Sequence, residues 1–290
     1  MLGRYVSQLL DVKGVEWIGS DLDVDISDRR KVSEFVSERR LSAIINCAAY
    51  TAVDAAETDE GNAMRVNGEG PAVLAEIARL HGARFVHVST DYVFDGERLG
   101  EHEEQSPVGP SNVYGKTKLA GELGICRVFD DKTSGQGAAP WFVVRTSWLF
   151  GPGRSSFVDT MWKLMQEKSE LRVVCDQMGR PTFARDLARF LVDLASEDAP
   201  IVLSSGTWHF ANLTATSWFE FAKEIRECML RCGVPVAVER IHPVSSEEFP
   251  RPAKRPKNSV LSTRKLEAHG VVPRDWRLAL AEYIQERVGQ

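Results

Sequence analysis

The chain has 290 residues, 43% hydrophobic and 27% charged, with a formal net charge of -5. That length can bury a large core in one big domain or two smaller ones, and the acidic balance leaves no broad basic footprint for nucleic acid. No apolar run approaches the ~18 residues of a membrane span, and no charged segment leads into an apolar stretch and a small-residue cleavage site, so a cytoplasmic location is expected.

Residues 4–10 read as a helix with no apolar strand before it. A short strand is expected at 16–19, then a helix over 28–40 with Val32, Phe35 and Val36 at helical spacing. The run 43–47 reads as a buried strand, 62–81 as a long helix and 84–89 as a strand. A helix over 112–127 and a strand over 141–146 follow. This β-α-β-α order predicts an α/β fold with a mostly parallel sheet covered on both faces. Ligands of such sheets bind beyond the C-terminal strand ends, which directs attention to 21–26, 48–54, 90–96 and 147–153. The polar, Gly-rich segment 130–140 reads as a surface loop. Later strands are expected near 171–174, 208–211 and 236–241, and 258–261 follows a basic, Pro-rich stretch at 251–257. The cysteines, Cys47, Cys126, Cys175, Cys228 and Cys232, are odd in number and lack paired CxxC spacing, which argues against disulfides or a zinc site.

Tyr114 and Lys118 form a Tyr-x-x-x-Lys pattern. At i,i+4 on a helix the two side chains share a face. A phenol titrates near 10 and is a poor acid–base group at neutral pH; a neighbouring ammonium stabilises the phenolate and brings it closer to the working range. Alone, the pair also suits an ordinary surface helix. Upstream, Thr90 ends a strand where its hydroxyl can meet a substrate carbonyl, or simply cap the strand. The small residues of Asn46-Cys47-Ala48-Ala49-Tyr50-Thr51 let a ligand approach the backbone closely, or reflect tight packing under a helix.

Taken together these pieces resemble the extended short-chain dehydrogenase/reductase superfamily and, within it, the dTDP-4-dehydrorhamnose reductase family. The resemblance rests on NCAAYTAVDAAE (46–57), VNGEGP (66–71), VHVSTDYVFDG (86–96), NVYGKTKLAGE (112–122), VVRTSWLFG (143–151) and RPKNSVL (255–261), and runs from Met1 to about Trp276. It implies a Rossmann-like doubly wound sheet, with a dinucleotide-binding part over 1–150 and a smaller substrate-binding subdomain over 151–290, interleaved with the end of the sheet. It implies NADPH or NADH as cofactor and reduction of the C4 carbonyl of dTDP-4-dehydro-6-deoxy-L-mannose to dTDP-L-rhamnose. Tyr114 then corresponds to the proton donor, and Lys118 to the residue that tunes it and holds the nicotinamide ribose. Thr90 and Asp91 correspond to substrate contacts, with Thr90 tuning the proton transfer. Trp148 corresponds to a sugar contact and Arg255 to a contact with the nucleotide-sugar phosphates. Asp21, Asp25 and Ile26 match positions around the adenosine half, where Asp21 favours NADH by repelling a 2′-phosphate. Ala49, Tyr50, Thr51 and Val88 match positions lining the dinucleotide, together with Tyr114 and Lys118. Related dehydratases carry Asp-Glu after the threonine; here Asp91-Tyr92 follows Thr90, which fits simple reduction better than elimination of water.

The family's first strand and the first glycines of its G-x-x-G-x-x-G turn are not in this sequence, and Gly3 stands where that turn ends. The expectation is that the natural protein starts upstream; the alternative is a short chain with weakened dinucleotide binding. The resemblance also extends to a non-catalytic class, the regulatory subunit of methionine adenosyltransferase, which keeps much of the same motif set. Some relatives dimerise through a divalent metal held by glutamates. A homodimer and Mg2+ are therefore expectations of the resemblance alone, since no His/Cys/Glu cluster in the sequence marks a metal site.

Overall fold

The computed structural model describes residues 1–131, 139–153, 156–198 and 201–289. Helix α1 (Leu2–Val12) is followed by α2 (Arg29–Val36), β1 (Ala43–Asn46), α3 (Val53–Ala56), α4 (Glu60–Met64), a π-helical turn at Arg65–Glu69 and α5 (Gly70–Leu80). Then come β2 (Arg84–Thr90), a 3-10 turn at Asp91–Val93, α6 (Val113–Asp130), β3 (Trp141–Thr146), β4 (Leu149–Phe150) and α7 (Phe157–Glu167). The remainder is β5 (Glu170–Val174), β6 (Met178–Gly179), β7 (Thr182–Phe183), α8 (Ala184–Ala195), β8 (Gly206–His209), β9 (Thr216–Ser217), α9 (Trp218–Arg231), β10 (Arg240–Val244), α10 (Arg264–Glu267) and α11 (Trp276–Val288).

The main sheet has the order β1-β2-β3-β8, and all three of its pairings are parallel. Successive side chains of a strand point to opposite faces. Val86, Phe142 and Val144 therefore enter the larger core, with α1, α8, α9 and α11. Phe85 and Val143 enter a second core with Val32 of α2, Leu74 of α5 and Ile125 of α6. Both faces are covered, as the strand–helix alternation requires. The small pairs β5–β10, β4–β7 and β6–β9 lie outside this sheet.

Three expected elements differ. Residues 16–19 form no strand, and Val15, Trp17 and Ile18 are solvent-exposed. A strand needs a neighbour to satisfy its backbone, and among the described residues only β2 pairs with β1, leaving its other edge without a partner strand. The long helix expected over 62–81 is broken by the π turn at Arg65–Glu69. Pro71 has no N–H to give the carbonyl of Asn67 one turn back, so the ladder widens there. The strand expected near 236–241 begins only at Arg240 and runs to Val244, while residues 258–261 make isolated bridges, Met178 to Asn258 and His102 to Leu261. Of the loop expected at 130–140, residues 132–138 lie outside the described residues.

Candidate active site

Helix α6 is started by Asn112, whose side chain accepts from the Gly115 amide at 2.8 Å and donates to the Lys254 carbonyl at 2.8 Å. The Val113 amide donates to Glu57 at 2.9 Å. These contacts fix the first turn, which carries Tyr114, against α3 and the basic loop at 251–257. Two glycines let the helix press inward. A Cβ at Gly115 would lie 2.2 Å from the Tyr92 carbonyl, and one at Gly121 would lie 2.2 Å from the Asn67 carbonyl.

Tyr114 and Lys118 stand one turn apart on α6, as the spacing predicts. Tyr114 is half-buried and packs edge-to-face on Tyr92, ring centroids 5.5 Å apart. Lys118 is buried at 1% exposure. Its ammonium nitrogen donates to the Val88 carbonyl at 2.7 Å and stands 3.2 Å from His87 Nε2. Burial pulls its pKa down to about 8, against the opposing charge of Glu122. Glu122, one turn further on, is itself held by Arg145 of β3 through three charge-assisted hydrogen bonds, at 3.0, 3.3 and 2.7 Å, and by the Ser89 hydroxyl.

Thr90 and Asp91 close β2. The Thr90 hydroxyl donates to Asp91 Oδ1 at 3.0 Å and accepts from the Tyr92 amide at 3.2 Å. It therefore caps the turn, and substrate contact would come on top of that role. Asp91 is buried, and burial pushes its carboxyl up to about 6. Its Oδ2 makes no hydrogen bond of ordinary geometry, although the Ser259 hydroxyl lies near enough to favour the charged carboxylate, and the buried hydroxyl of Thr146, the residue paired with Thr90 across the ladder, has no partner. Unpaired buried polar atoms are costly. Two at adjacent strand ends fit a polyhydroxylated ligand.

The turn expected to line a dinucleotide is clamped from below. Asn67, fully buried in the π turn, accepts from the Tyr50 amide at 2.9 Å and donates to the Tyr50 carbonyl at 3.0 Å and to the Thr117 hydroxyl at 3.2 Å. Ala49, Tyr50 and Thr51 are thus fixed relative to α6. Nothing in the residue types announced Asn67; its place inside the quoted VNGEGP segment was the one signal. At the start of α1 no side chain caps the helix, and a Cβ on Gly3 would find a single neighbour, Cys47, at 4.0 Å. Gly3 beside the end of β1, with a Lys118 donor left beyond Val88, fits a nucleotide and its ribose.

The residues expected at an adenosine side are more loosely held. Asp21 sits on an exposed turn, its amide donating to Asp23. Asp25 accepts from the Ser27 hydroxyl at 2.7 Å and pairs with Arg65, and these partners hold its pKa below the ordinary range. Ile26 packs over Gly70. Trp148, expected on a sugar side, has φ 47, a region that disfavours side chains, and stacks on Trp218 with centroids 3.5 Å apart. Gly179 makes room for it: a Cβ there would lie 2.4 Å from the indole. Arg255 pairs with Asp54 at 2.8 Å and donates to the Ala253 carbonyl at 2.9 Å. Part of its fork is therefore engaged before any phosphate arrives. Among the described residues no group of three or more His, Cys, Asp or Glu is placed to hold a metal, and no helix is long and apolar enough to cross a membrane.

Known proteins place this architecture. The family described as RmlD substrate binding domain matches residues 1–288. A dTDP-4-dehydrorhamnose reductase of Streptomyces griseus is 40% identical, with 97% of this chain and 89% of that protein covered. The crystal structure of a dTDP-4-dehydrorhamnose reductase from Clostridium acetobutylicum superposes with a TM-score of 0.88 at 40% identity, covering 99% of this chain and 95% of that one. One from Bacillus anthracis, in complex with NADP, gives 0.86 at 35% identity, covering 98% and 95%.

Proposed function

Because this chain belongs to the RmlD substrate binding domain family, we propose that it reduces the C4 carbonyl of dTDP-4-dehydro-6-deoxy-L-mannose to give dTDP-L-rhamnose, with NADPH or NADH as reductant. The observation that carries this reading is the Tyr114–Lys118 pair, fixed on α6 beside the unpaired polar atoms of Asp91 and Thr146 at the strand ends.

When bound, the dihydronicotinamide supplies a hydride to C4. Tyr114 gives its hydroxyl proton to the C4 oxygen as negative charge develops there. Lys118, buried and held to Val88, carries its charge one turn from the phenol as that proton leaves and offers a further donor to the ribose. Asp91 accepts from a sugar hydroxyl through Oδ2, while Thr90 holds the other carboxylate oxygen. Arg255 meets the diphosphate with the part of its fork that Asp54 leaves open, and Trp148 bounds the sugar. Asp21 and its acidic neighbour Asp23 favour NADH at the adenosine side, while the Bacillus anthracis relative was crystallised with NADP. The cofactor choice is therefore part of the test. A cytoplasmic setting and a homodimer complete the reading.

The purified chain is given the 4-dehydro sugar nucleotide with NADPH or NADH, and absorbance of the reduced nicotinamide is followed. Loss of absorbance with formation of the rhamnosyl nucleotide is expected. No oxidation with either cofactor would sink the proposal.

A further inference from the structure

His87 has no part in the chemistry above, yet it is fully buried between two site residues. It faces Asn46 across the β1–β2 ladder. Its Nδ1 lies 3.0 Å from Asn46 Nδ2, and its Nε2 lies 3.2 Å from Lys118 Nζ. The orientation of the Asn46 amide decides what these contacts are. A backbone N–H can only donate, and the Ala48 N–H points at Asn46 Oδ1 from 3.0 Å. Turning the amide over would set its NH2 against that N–H, donor to donor. The oxygen therefore faces Ala48 and the NH2 faces His87. An NH2 can only donate, so His87 Nδ1 must be an unprotonated acceptor. A neutral imidazole with a bare Nδ1 carries its proton on Nε2, and that N–H points at Lys118.

We propose that Asn46 and His87 form a fixed hydrogen-bond relay, anchored on the Ala48 amide, that donates to Lys118 and favours its neutral amine over its ammonium. An ammonium has no lone pair to accept the imidazole N–H, whereas an amine accepts it and still donates to Val88. His87 is thus a positioning residue for the reaction proposed above and rests on that reading only for its catalytic meaning. After the Tyr114 O–H bond breaks and its proton passes to the sugar oxygen, an N–H bond of Lys118 can break to restore the phenol. The amine left behind is the form His87 stabilises, and solvent returns the missing proton. The other groups facing Lys118 do not duplicate this role. Cys47, after β1, has its thiol pushed up to about 12 by burial. On α6, Glu122 favours the ammonium and is committed to Arg145 of β3, and Tyr114 is the phenol being served. Burial holds the His87 imidazole itself well below its ordinary range, so it stays neutral.

The tautomer can be read directly by nitrogen NMR of the ligand-free full chain with isotope-labelled histidine. An Nε2–H ring with a bare Nδ1 through the neutral range is expected; an Nδ1–H ring or an imidazolium would overturn the relay. This measurement involves no turnover, so its failure is distinguishable from failure of the reductase assay. The second arm is Asn46→Asp. A carboxylate at 46 still accepts from Ala48 but draws the imidazole proton to Nδ1, making Nε2 an acceptor for the ammonium. The limb of the kcat/KM pH profile that belongs to Lys118 should then move up by about one pH unit or more. A tautomer change with an unmoved limb would refute the link between His87 and Lys118.

Discussion

The two halves of the candidate site are built differently. Around α6 and the end of β2, polar groups are buried and cross-linked: Lys118 to Val88 and His87, Glu122 to Arg145 and Ser89, Asn67 to Tyr50 and Thr117. Around residues 15–26 the groups are exposed and tied mostly to near neighbours, with Leu22 97% and Val15 47% accessible. Proton transfer needs groups whose positions and proton affinities are set in advance, and only a desolvated network does that. Holding an adenosine, the role proposed for residues 21–26, demands less of the protein, and local turns are sufficient for it.

Substitutions can break or sharpen this contrast. The largest effect is expected for Tyr114→Phe. Turnover should fall by roughly 10²–10⁴-fold while binding of the sugar nucleotide, followed by calorimetry, stays near wild type. Equal activity would remove Tyr114 from its role. Next is Glu122→Ala, which leaves the Arg145 charge buried without its salt-bridge partner, as both side chains are about 5–6% exposed. A loss of about 3–5 kcal/mol in denaturant unfolding is expected; a change under about 1 kcal/mol would show the network to be less desolvated than it looks.

Asp91→Asn sharpens the comparison by separating function from stability. Its folded pKa, about 6, lies above the ordinary 3.8. The folded state therefore holds this proton more tightly than the unfolded state. The associated stability is present below about pH 4 and is lost as pH rises through about 6. The neutral amide should accordingly stabilise the fold at pH 7, by on the order of 1–3 kcal/mol, while lowering activity. Thermal melts of both proteins across pH 4 to about 8 test the sign, and a destabilised Asp91→Asn at pH 7 would contradict it. The smallest effect belongs to the exposed side. Removing the Asp25–Arg65 pair by Asp25→Ala should cost about 1 kcal/mol or less, read from the shift of the melting temperature.

The same division governs what could be read from the sequence. Strands 43–47, 84–89 and 141–146 were legible because short apolar runs at sheet positions carry their own signal. Tyr114 and Lys118 were legible because i,i+4 spacing is local. The strand expected at 16–19 failed because pairing, not composition, makes a strand. The π turn escaped because Pro71 within a helical pattern announces a disturbance without saying which kind. Asn67, Arg145 and the Asn46–His87 pair were illegible for another reason. Asn46 and His87 are 41 positions apart and meet only through the β1–β2 register.

Trp148 and Trp218 lie face to face, with ring planes 8° apart. Two chromophores so close and so nearly parallel share their excitation, so the protein carries its own optical signal at one edge of the proposed sugar pocket. A sugar nucleotide that shifts Trp148 would change the near-ultraviolet circular dichroism and the intrinsic emission without any added label. Binding could then be watched separately from chemistry, in mixtures that contain no nicotinamide at all.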